Sequence, residues 1–522
     1  MCPLRFGPAR PTWVIILHSS VCDEAVTDNL TIASVPESRP NSGRRALFHS
    51  GRYQCWLLVL FLLSLPFVNP WVHGDGVGYY AYARALLIQH RLDFRQDWRR
   101  ANESFVIGRE DSKGQLLPDQ FTSTGHLKNI WTVGPALLWA PFLAVAHAGV
   151  VVANHLGAHV AADGFSAPYR TTMALATAFY GFLALWISFL LSRKYFDARW
   201  AFLATLGIWA ASSLPVYMYF NPAWSHAHSA FAVALFVWYW HRTREHRTSR
   251  QWVLLGLLSG LLVDVYYPNG IFLLIPLMEG ISQYFRAWRR RPVSSGTLRL
   301  FFLHLLYFGV FLAALLPTLV SRRIIFGSAL QTGYYSAHTW RWTSPALWDV
   351  LFSSDHGLFS WTPVLILALF GLFLFRRVDR SFADKLIVCC VAFYLMIACY
   401  PDWDGLSSFG NRFFVSLTPL FVLGLAAFFD TVAQTWNARR AAILATVSTT
   451  TLILWNFGMM FQWGMHLIPV RGPVSWRETA YNQVTVVPED VARTIRGYFV
   501  HRGELMRNIE DKDLKQLRSH PK

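Results

Sequence analysis

Charged residues are scarce in this sequence. Asp, Glu, Lys and Arg make up only 15% of its 522 residues, and 54% are hydrophobic. Soluble globular chains have about 25% charged residues. The deficit argues against an ordinary soluble domain and indicates a chain whose solvent is mostly lipid.

The sequence also lacks a cysteine framework. The sequence has six cysteines: Cys2, Cys22, Cys55, Cys389, Cys390 and Cys399. They do not form two CxxC pairs, and four of them lie in or beside apolar runs. This pattern argues against a disulfide scaffold or a cysteine zinc site. The cysteines are typical of small residues in membrane helices.

Several catalytic signatures are missing. The sequence has no P-loop, GxGxxG fingerprint, GxSxG elbow or HExxH motif. An enzyme of this kind would therefore use a donor that is already activated and compatible with a membrane. There is also no internal repeat, which makes a transporter built from inverted repeats less favoured.

The charge that is present is strongly basic. The formal net charge is +17, and the basic residues cluster in short loops between apolar runs. This distribution follows the positive-inside rule and predicts anionic membrane lipids as partners. No basic stripe stands clear of the apolar segments, so nucleic acid is not an expected partner.

Apolar runs long enough to cross a bilayer recur along the chain. The first, 55–72, follows several arginines and predicts an anchor helix with a cytoplasmic N-terminus. Two spans within 252–284 must be short or partly re-entrant. The remaining candidates are 131–152, 169–192, 200–220, 223–240, 300–320, 358–375, 384–400, 412–430 and 441–463. The predicted fold is an all-α polytopic membrane protein with 11–13 transmembrane helices and amphipathic surface helices in the first exterior loop.

Loop charge divides the chain into three regions. Residues 1–52 form a polar cytoplasmic segment, 53–463 the transmembrane domain with a first exterior loop at 73–130, and 464–522 a polar exterior tail. When the basic loops are placed on the cytoplasmic side, the alternation of sides conflicts with an exterior loop at 73–130. One crossing is therefore miscounted. Either 131–152 contains two short passes, or loop 193–199 breaks the charge rule.

Asp75 stands at the head of the first exterior loop, between Gly74 and Gly76. Glycines allow a sharp turn and the close approach of a ligand. A carboxylate here can act as a general base toward a hydroxyl, or hold a divalent cation against a phosphate. The alternative is that Asp75 is the N-cap of the following helix.

Basic residues at the membrane boundary are the candidate phosphate ligands. His126 and Lys128 stand where the chain re-enters the bilayer, and Lys128 either neutralises a lipid phosphate or is an interfacial lysine. Arg412 begins a later span, and its fork matches phosphate oxygens. The alternative for Arg412 is an ion pair with Asp402 or Asp404.

Three further residues are weaker candidates. His226 lies in a turn between spans, where it either faces a polar cavity or is an ordinary interfacial histidine. Asp264 lies at membrane depth, where an ionisable group suggests function unless it is merely interfacial. Asp404 lies just before the span of Arg412.

Five motifs at the membrane edges resemble those of uncharacterised bacterial members of the GT-C superfamily: GDGVGYYAYARALL, NIWTVGPALLWAPF, NPAWSHAHSAF, DHGLFSWTPVL and WDGLSSFGNRF. The closest likeness, over about residues 55–430, is to the protein-mannosyltransferase-like and aminoarabinose-transferase-like branch. These enzymes use polyprenyl- or dolichyl-phosphate-linked sugars.

The resemblance implies a glycosyltransferase of the bacterial inner membrane with an exterior active site. Asp75 would assist the acceptor or a metal–phosphate contact, while Lys128 and Arg412 would bind the phosphate of a polyprenyl-phosphate-sugar. Transfer would invert the anomeric centre. No cofactor is certain, although a divalent cation fits Asp75. The alternatives are a transporter or flippase of lipid-linked glycans, a surface-glycan polymerase or ligase, and a non-catalytic scaffold.

Overall fold

The computed structural model describes residues 43–289 and 295–519, and it is built from helices. Residues 1–42 of the predicted cytoplasmic segment 1–52 lie outside the described part of the chain. The described residues contain no β-strand beyond two isolated bridges in the first exterior loop. The all-α prediction is confirmed. Residues 48–522 form one compact unit, which contains all the candidate site residues.

The α-helices follow one another in chain order as α1 (Gly43–Ser64), α2 (Asp75–Arg84), α3 (Arg95–Arg99), α4 (Glu103–Val106), α5 (Gly134–His155), α6 (Ala167–Ser192), α7 (Ala198–Ala210), α8 (His226–Thr243), α9 (Ser249–Val265), α10 (Leu274–Arg289), α11 (Ser295–Ala314), α12 (Leu316–Phe326), α13 (Leu347–Phe352), α14 (Leu358–Trp361), α15 (Val364–Leu374), α16 (Arg380–Cys399), α17 (Thr418–Thr435), α18 (Ala438–Gly464), α19 (Trp476–Thr485), α20 (Val487–Val500) and α21 (Arg502–Ser519).

Short π-helical and 3-10 turns interrupt or extend these helices. The π turns are Ala85–Gln89 and Val216–Phe220, and the 3-10 turns are Leu65–Phe67, Pro118–Gln120, Tyr267–Leu273, Ala337–Thr339, Phe375–Arg377 and Arg412–Leu417. The last of these leads directly into α17.

Among the described residues, six helical segments are long and apolar enough to cross a membrane: α5, α6, α11, α16, Arg412–Thr435 and α18. The predicted anchor contains a shorter apolar stretch, Gly51–Phe67, and the other predicted spans fall on helices that are shorter or less apolar. The chain is an integral membrane protein with many apolar helices. The total of 11–13 crossings stays a prediction.

The segment 131–152 is one helix. α5 runs for 22 residues with Pro141 inside it, so the alternative of two short passes is wrong. Membrane helices tolerate an internal proline because neighbouring groups can compensate for the lost hydrogen bond. By contrast, 252–284 contains two short helices, as the sequence predicts, with 17 residues in α9 and 16 in α10.

Helix α17 lies at the centre of the bundle. Every residue from Thr418 to Ala427 is buried, as expected for a helix that is apolar on all sides. Its backbone approaches α15 closely, because Gly371 and Gly424 face each other's helix. A Cβ atom added to Gly424 would lie 2.1 Å from the carbonyl oxygen of Ala368. Small residues of this kind permit tight contact between membrane helices.

We expect Gly424→Ala to lower the thermal midpoint of unfolding in detergent, because the added methyl group must push α15 and α17 apart. Overpacking of this kind costs about 1–3 kcal/mol. The control is Gly309→Ala in α11, where a Cβ would meet nothing within 4 Å. A midpoint equally unchanged in both variants would contradict the tight α15–α17 contact.

Candidate functional site

Asp75 is the first residue of α2, and the cap position is Gly74. The backbone of Gly74 has a φ of 53°, which favours glycine, and no side chain caps the helix. A Cβ on Gly74 would also lie 3.1 Å from the ring of Trp224. The alternative that Asp75 is an N-cap is therefore wrong. Its carboxylate is available for another partner.

The rest of α2 is enclosed by protein. Every residue from Gly76 to Arg84 is buried. The Tyr80 hydroxyl donates to the carbonyl oxygen of Gly164 at 2.6 Å, and Arg84 forms an ion pair with Asp97. The sequence predicts an amphipathic helix on the membrane surface, whereas α2 has no open face. Its polar groups are satisfied inside the protein, and this holds Asp75 in a fixed position.

Arg412 is the partner of Asp75. Its Nη1 donates to Asp75 Oδ2 at 2.7 Å, and its side chain is 11% exposed. The guanidinium also lies 4.5 Å from the centroid of the Trp224 ring. The predicted alternative of a pair with Asp402 or Asp404 is wrong. Arg412 begins the 3-10 turn that continues into α17, so the central helix of the bundle positions the ion pair.

A cavity of about 750 Å³ adjoins this ion pair. Asp75 and Arg412 line it, together with His73 and Arg471. Its apolar lining comes from helices α1, α7, α18 and α20: Leu60, Trp209, Phe457, Met460, Ile495 and Tyr498. One cavity thus joins apolar walls to two arginines and two carboxylates, those of Asp75 and Asp513. Such a cavity suits an amphiphilic molecule with an anionic group.

Arg471 is a candidate that sequence reasoning missed. It lies in the segment after α18, and its Nε donates to the hydroxyl of Ser407. In the described part of the chain it has no ion pair with a carboxylate, and burial lowers the pKa of its guanidinium. A bound anion would stabilise this cation. The only sequence signal was a single arginine soon after the last apolar run.

Asp355, His356 and Asp404 form a second cluster. One ligand atom from each lies within 4.8 Å of those from the other two. Burial raises the pKa of Asp355 to about 6, and the nearby charge of Asp404 adds to this. Burial, followed by the charge of Arg412, lowers the pKa of His356 to about 3. Three groups that can bind a metal are thus gathered near the ion pair.

His126 and Lys128 lie in the loop 73–130 and are not among the residues that line the cavity. Lys128 is exposed. His126 Nδ1 lies 3.0 Å from the Thr124 hydroxyl, which donates to the carbonyl oxygen of Ile325 at 2.6 Å. This contact ties the loop to α12. The roles of His126 and Lys128 in phosphate binding stay predictions.

His226 and Asp264 are both buried, and neither is among the residues that line the cavity. The ring of His226 lies 4.6 Å from that of Tyr217. Asp264 lies near the end of α9, where its backbone passes against Gly134 of α5. The structure does not bring these two residues to Asp75 and Arg412 as hydrogen-bond partners, and their site roles stay predictions.

The ion pair predicts a coupling between two positions. We expect Asp75→Asn and Arg412→Gln each to lower the free energy of unfolding, because each leaves a largely buried charge without its partner. The double variant should lose about 1–3 kcal/mol less than the sum of the two.

The control is the exposed pair Glu489–Arg493 of α20, for which the same cycle should give about 0.3–0.5 kcal/mol. Thermal unfolding of all variants in one detergent provides the comparison. Additive losses for Asp75→Asn and Arg412→Gln would rule out a direct interaction.

No protein-family model and no curated protein matches the chain. Among solved structures, the chain is similar to ArnT from Cupriavidus metallidurans. The match to its crystal structure in the apo state has 13% sequence identity and a TM-score of 0.45, and covers 88% of this chain and 78% of that chain. The match to ArnT bound to undecaprenyl phosphate has 15% identity and a TM-score of 0.41, and covers 91% and 78%.

Proposed function

We propose that this chain is a membrane glycosyltransferase that moves a sugar from a polyprenyl-phosphate-linked donor to an acceptor at the exterior membrane face. One observation supports it above the others. The Asp75–Arg412 ion pair lines a cavity of about 750 Å³ whose other walls are largely apolar. The motifs that resemble the GT-C superfamily contain both of these residues.

The apolar walls suit the polyprenyl chain of the donor. Leu60, Phe457 and Met460 come from α1 and α18, the helices that also contain predicted membrane spans. A hydrocarbon chain bound there would move from water or from the bilayer to a protein surface that is as apolar as the chain itself. Removal of such surface from water contributes about 25 cal/mol per Å², whereas its transfer from the lipid interior contributes little. The walls can therefore retain a lipid without recognising its sugar.

Arg412 and Arg471 suit the phosphate. Arginine has five N–H donors in a rigid fork that matches phosphate oxygens. Within the described residues, Arg412 uses Nη1 for Asp75, and its Nε has no partner. Among the described residues, Arg471 donates to the hydroxyl of Ser407 and forms no ion pair. The two cations would stabilise the negative charge that develops on the phosphate as the bond to the sugar breaks.

Asp75 suits the role of general base. In the proposed step, Asp75 takes the proton of the acceptor hydroxyl while that oxygen attacks the anomeric carbon. The bond between the anomeric carbon and the phosphate oxygen breaks, and polyprenyl phosphate leaves with both bonding electrons. A single displacement of this kind inverts the anomeric centre. A donor phosphate would compete with Asp75 for Arg412, so donor binding would release the carboxylate for the acceptor.

We expect Asp75→Asn to lower the rate of sugar transfer by about 10²–10⁴-fold, because an amide cannot take the proton. The assay is transfer of radiolabel from a polyprenyl-phosphate sugar by protein reconstituted in vesicles. The control is Asp119→Asn, an exposed acid of the same loop, which should transfer at the normal rate.

Transfer that is unchanged in Asp75→Asn would contradict its catalytic role. Movement of the lipid-linked sugar across the vesicle membrane, with no transfer by either protein, would instead favour the transporter or flippase.

We expect Arg471→Gln to raise the KM for the donor by roughly tenfold or more, since hydrogen bonds to charged groups contribute about 1.5–3 kcal/mol. The matched control is Arg477→Gln, which removes an exposed arginine of α19. An equal KM for the donor in both variants would show that Arg471 does not bind the donor phosphate.

A further inference from the structure

The cluster of Asp355, His356 and Asp404 joins two separate loops. Asp355 and His356 lie between α13 and α14, and Asp404 lies between α16 and the 3-10 turn of Arg412. One imidazole nitrogen of His356 and one carboxylate oxygen each of Asp355 and Asp404 all lie within 4.8 Å of one another. Residues 48 positions apart are thus brought together at one point outside the long helices.

His356 is buried without a hydrogen-bond partner. Its exposed fraction is 0%, and among the described residues neither Nδ1 nor Nε2 has a partner. Nδ1 lies 3.3 Å from Asp355 Oδ1, which is also without a hydrogen bond. A buried polar group left without a partner costs about 1–3 kcal/mol. The ring nitrogens and Asp355 Oδ1 can therefore take a further partner, while backbone groups of Gly472 and Asp404 approach the Asp355 carboxylate and the His356 ring.

The backbone supports this interpretation. His356 has a φ of 56°, in the left-handed region that non-glycine residues rarely adopt. Such conformations cluster at functional sites, where the surrounding structure imposes them. The turn thus holds the imidazole beside two carboxylates at a conformational cost.

Within the described residues, the carboxylates of the cluster have no lysine or arginine in direct contact, although the charges of Arg412 and Arg471 act on Asp404 from farther away. In the described part of the chain, neither Asp355 nor Asp404 forms an ion pair with a lysine or arginine, and Arg412 is bound to Asp75. Two carboxylates held close together repel each other. A cation between them would remove the repulsion and provide the partner that His356 lacks.

The ligand types select the cation. Imidazole nitrogen suits first-row transition metals, whereas Mg²⁺ and Ca²⁺ prefer oxygen ligands throughout. We propose that Asp355, His356 and Asp404 bind one divalent transition-metal ion such as Zn²⁺ or Mn²⁺. Metal bonds of about 2.1 Å place ligand atoms at most about 4.2 Å apart, so a small movement of the side chains would complete the site.

The proposed metal would connect two loops beside the cavity. Asp404 directly precedes Gly405, Leu406 and Ser407, which line the cavity, and the same loop ends at Arg412. A metal bound to Asp404 and to the 355–356 turn would fix this loop against α14. Its role would be to position the cavity wall. The proposal does not depend on glycosyl transfer.

The test measures metal binding by the full chain in detergent after treatment with a chelator. We expect equilibrium dialysis followed by elemental analysis to give one Zn²⁺ or Mn²⁺ ion per chain, with little competition from Mg²⁺. Asp355→Asn, His356→Gln and Asp404→Asn should each weaken binding by at least tenfold. The control is Asp402→Asn in the same loop, where the carboxylate accepts a hydrogen bond from Tyr335 and binding should stay the same.

Pulsed electron paramagnetic resonance of the Mn²⁺-loaded chain provides a second measurement that needs no variant. The proposal predicts coupling to one imidazole nitrogen, which His356→Gln should remove. If His356→Gln fails to fold, the proposal is tested by the nitrogen coupling of the unmodified chain and by metal binding of Asp404→Asn, which changes a half-buried residue. Absence of binding by both ions, or binding unchanged in the three ligand variants, would overturn the proposal.

Discussion

The ion pair between Asp75 and Arg412 is the interaction on which the site depends. It joins residues 337 positions apart, one at the head of the loop 73–130 and one in the 3-10 turn that leads into α17. Arg412 is largely enclosed by aromatic rings, and taking two charges out of water is costly. A well-packed pair of apolar side chains at these positions could stabilise the fold to the same extent. The position of the pair at a cavity therefore suggests that the charges serve a ligand.

The apolar bundle holds these charges rigidly. Arg412 leads into α17, and α17 packs through Gly424 directly on the backbone of α15. On the other side, α2 is buried along nearly its whole length, so Asp75 cannot swing freely. Groups that act on a reacting bond need supports of this kind, because errors of about 1 Å can cost much of the rate. The membrane helices thus act as a scaffold for groups at the ends of helices and in loops.

The sequence predicts the helical fold, most of the apolar segments and both partners of the central ion pair. It could do so because apolar runs report burial in lipid, and charged residues beside such runs are costly unless they have a use. The pairing itself could not be predicted, since nothing local connects positions so far apart. Instead, nearby Asp402 and Asp404 were the natural alternatives for Arg412. The burial of α2 was also hidden, because tyrosine and alanine side chains fit either a membrane surface or a protein interior. Arg471 lies in a polar tail without a motif, and only the fold shows that it lines the same cavity as Asp75.

A structure of the chain with bound polyprenyl phosphate, determined in lipid nanodiscs, tests the central claim most directly. The account predicts the phosphate within about 3 Å of the nitrogen atoms of Arg412 and Arg471, the usual range for charge-assisted hydrogen bonds. The hydrocarbon chain should lie along the walls formed by α1, α7 and α18. A phosphate bound away from both arginines, or a lipid outside this cavity, would contradict the account.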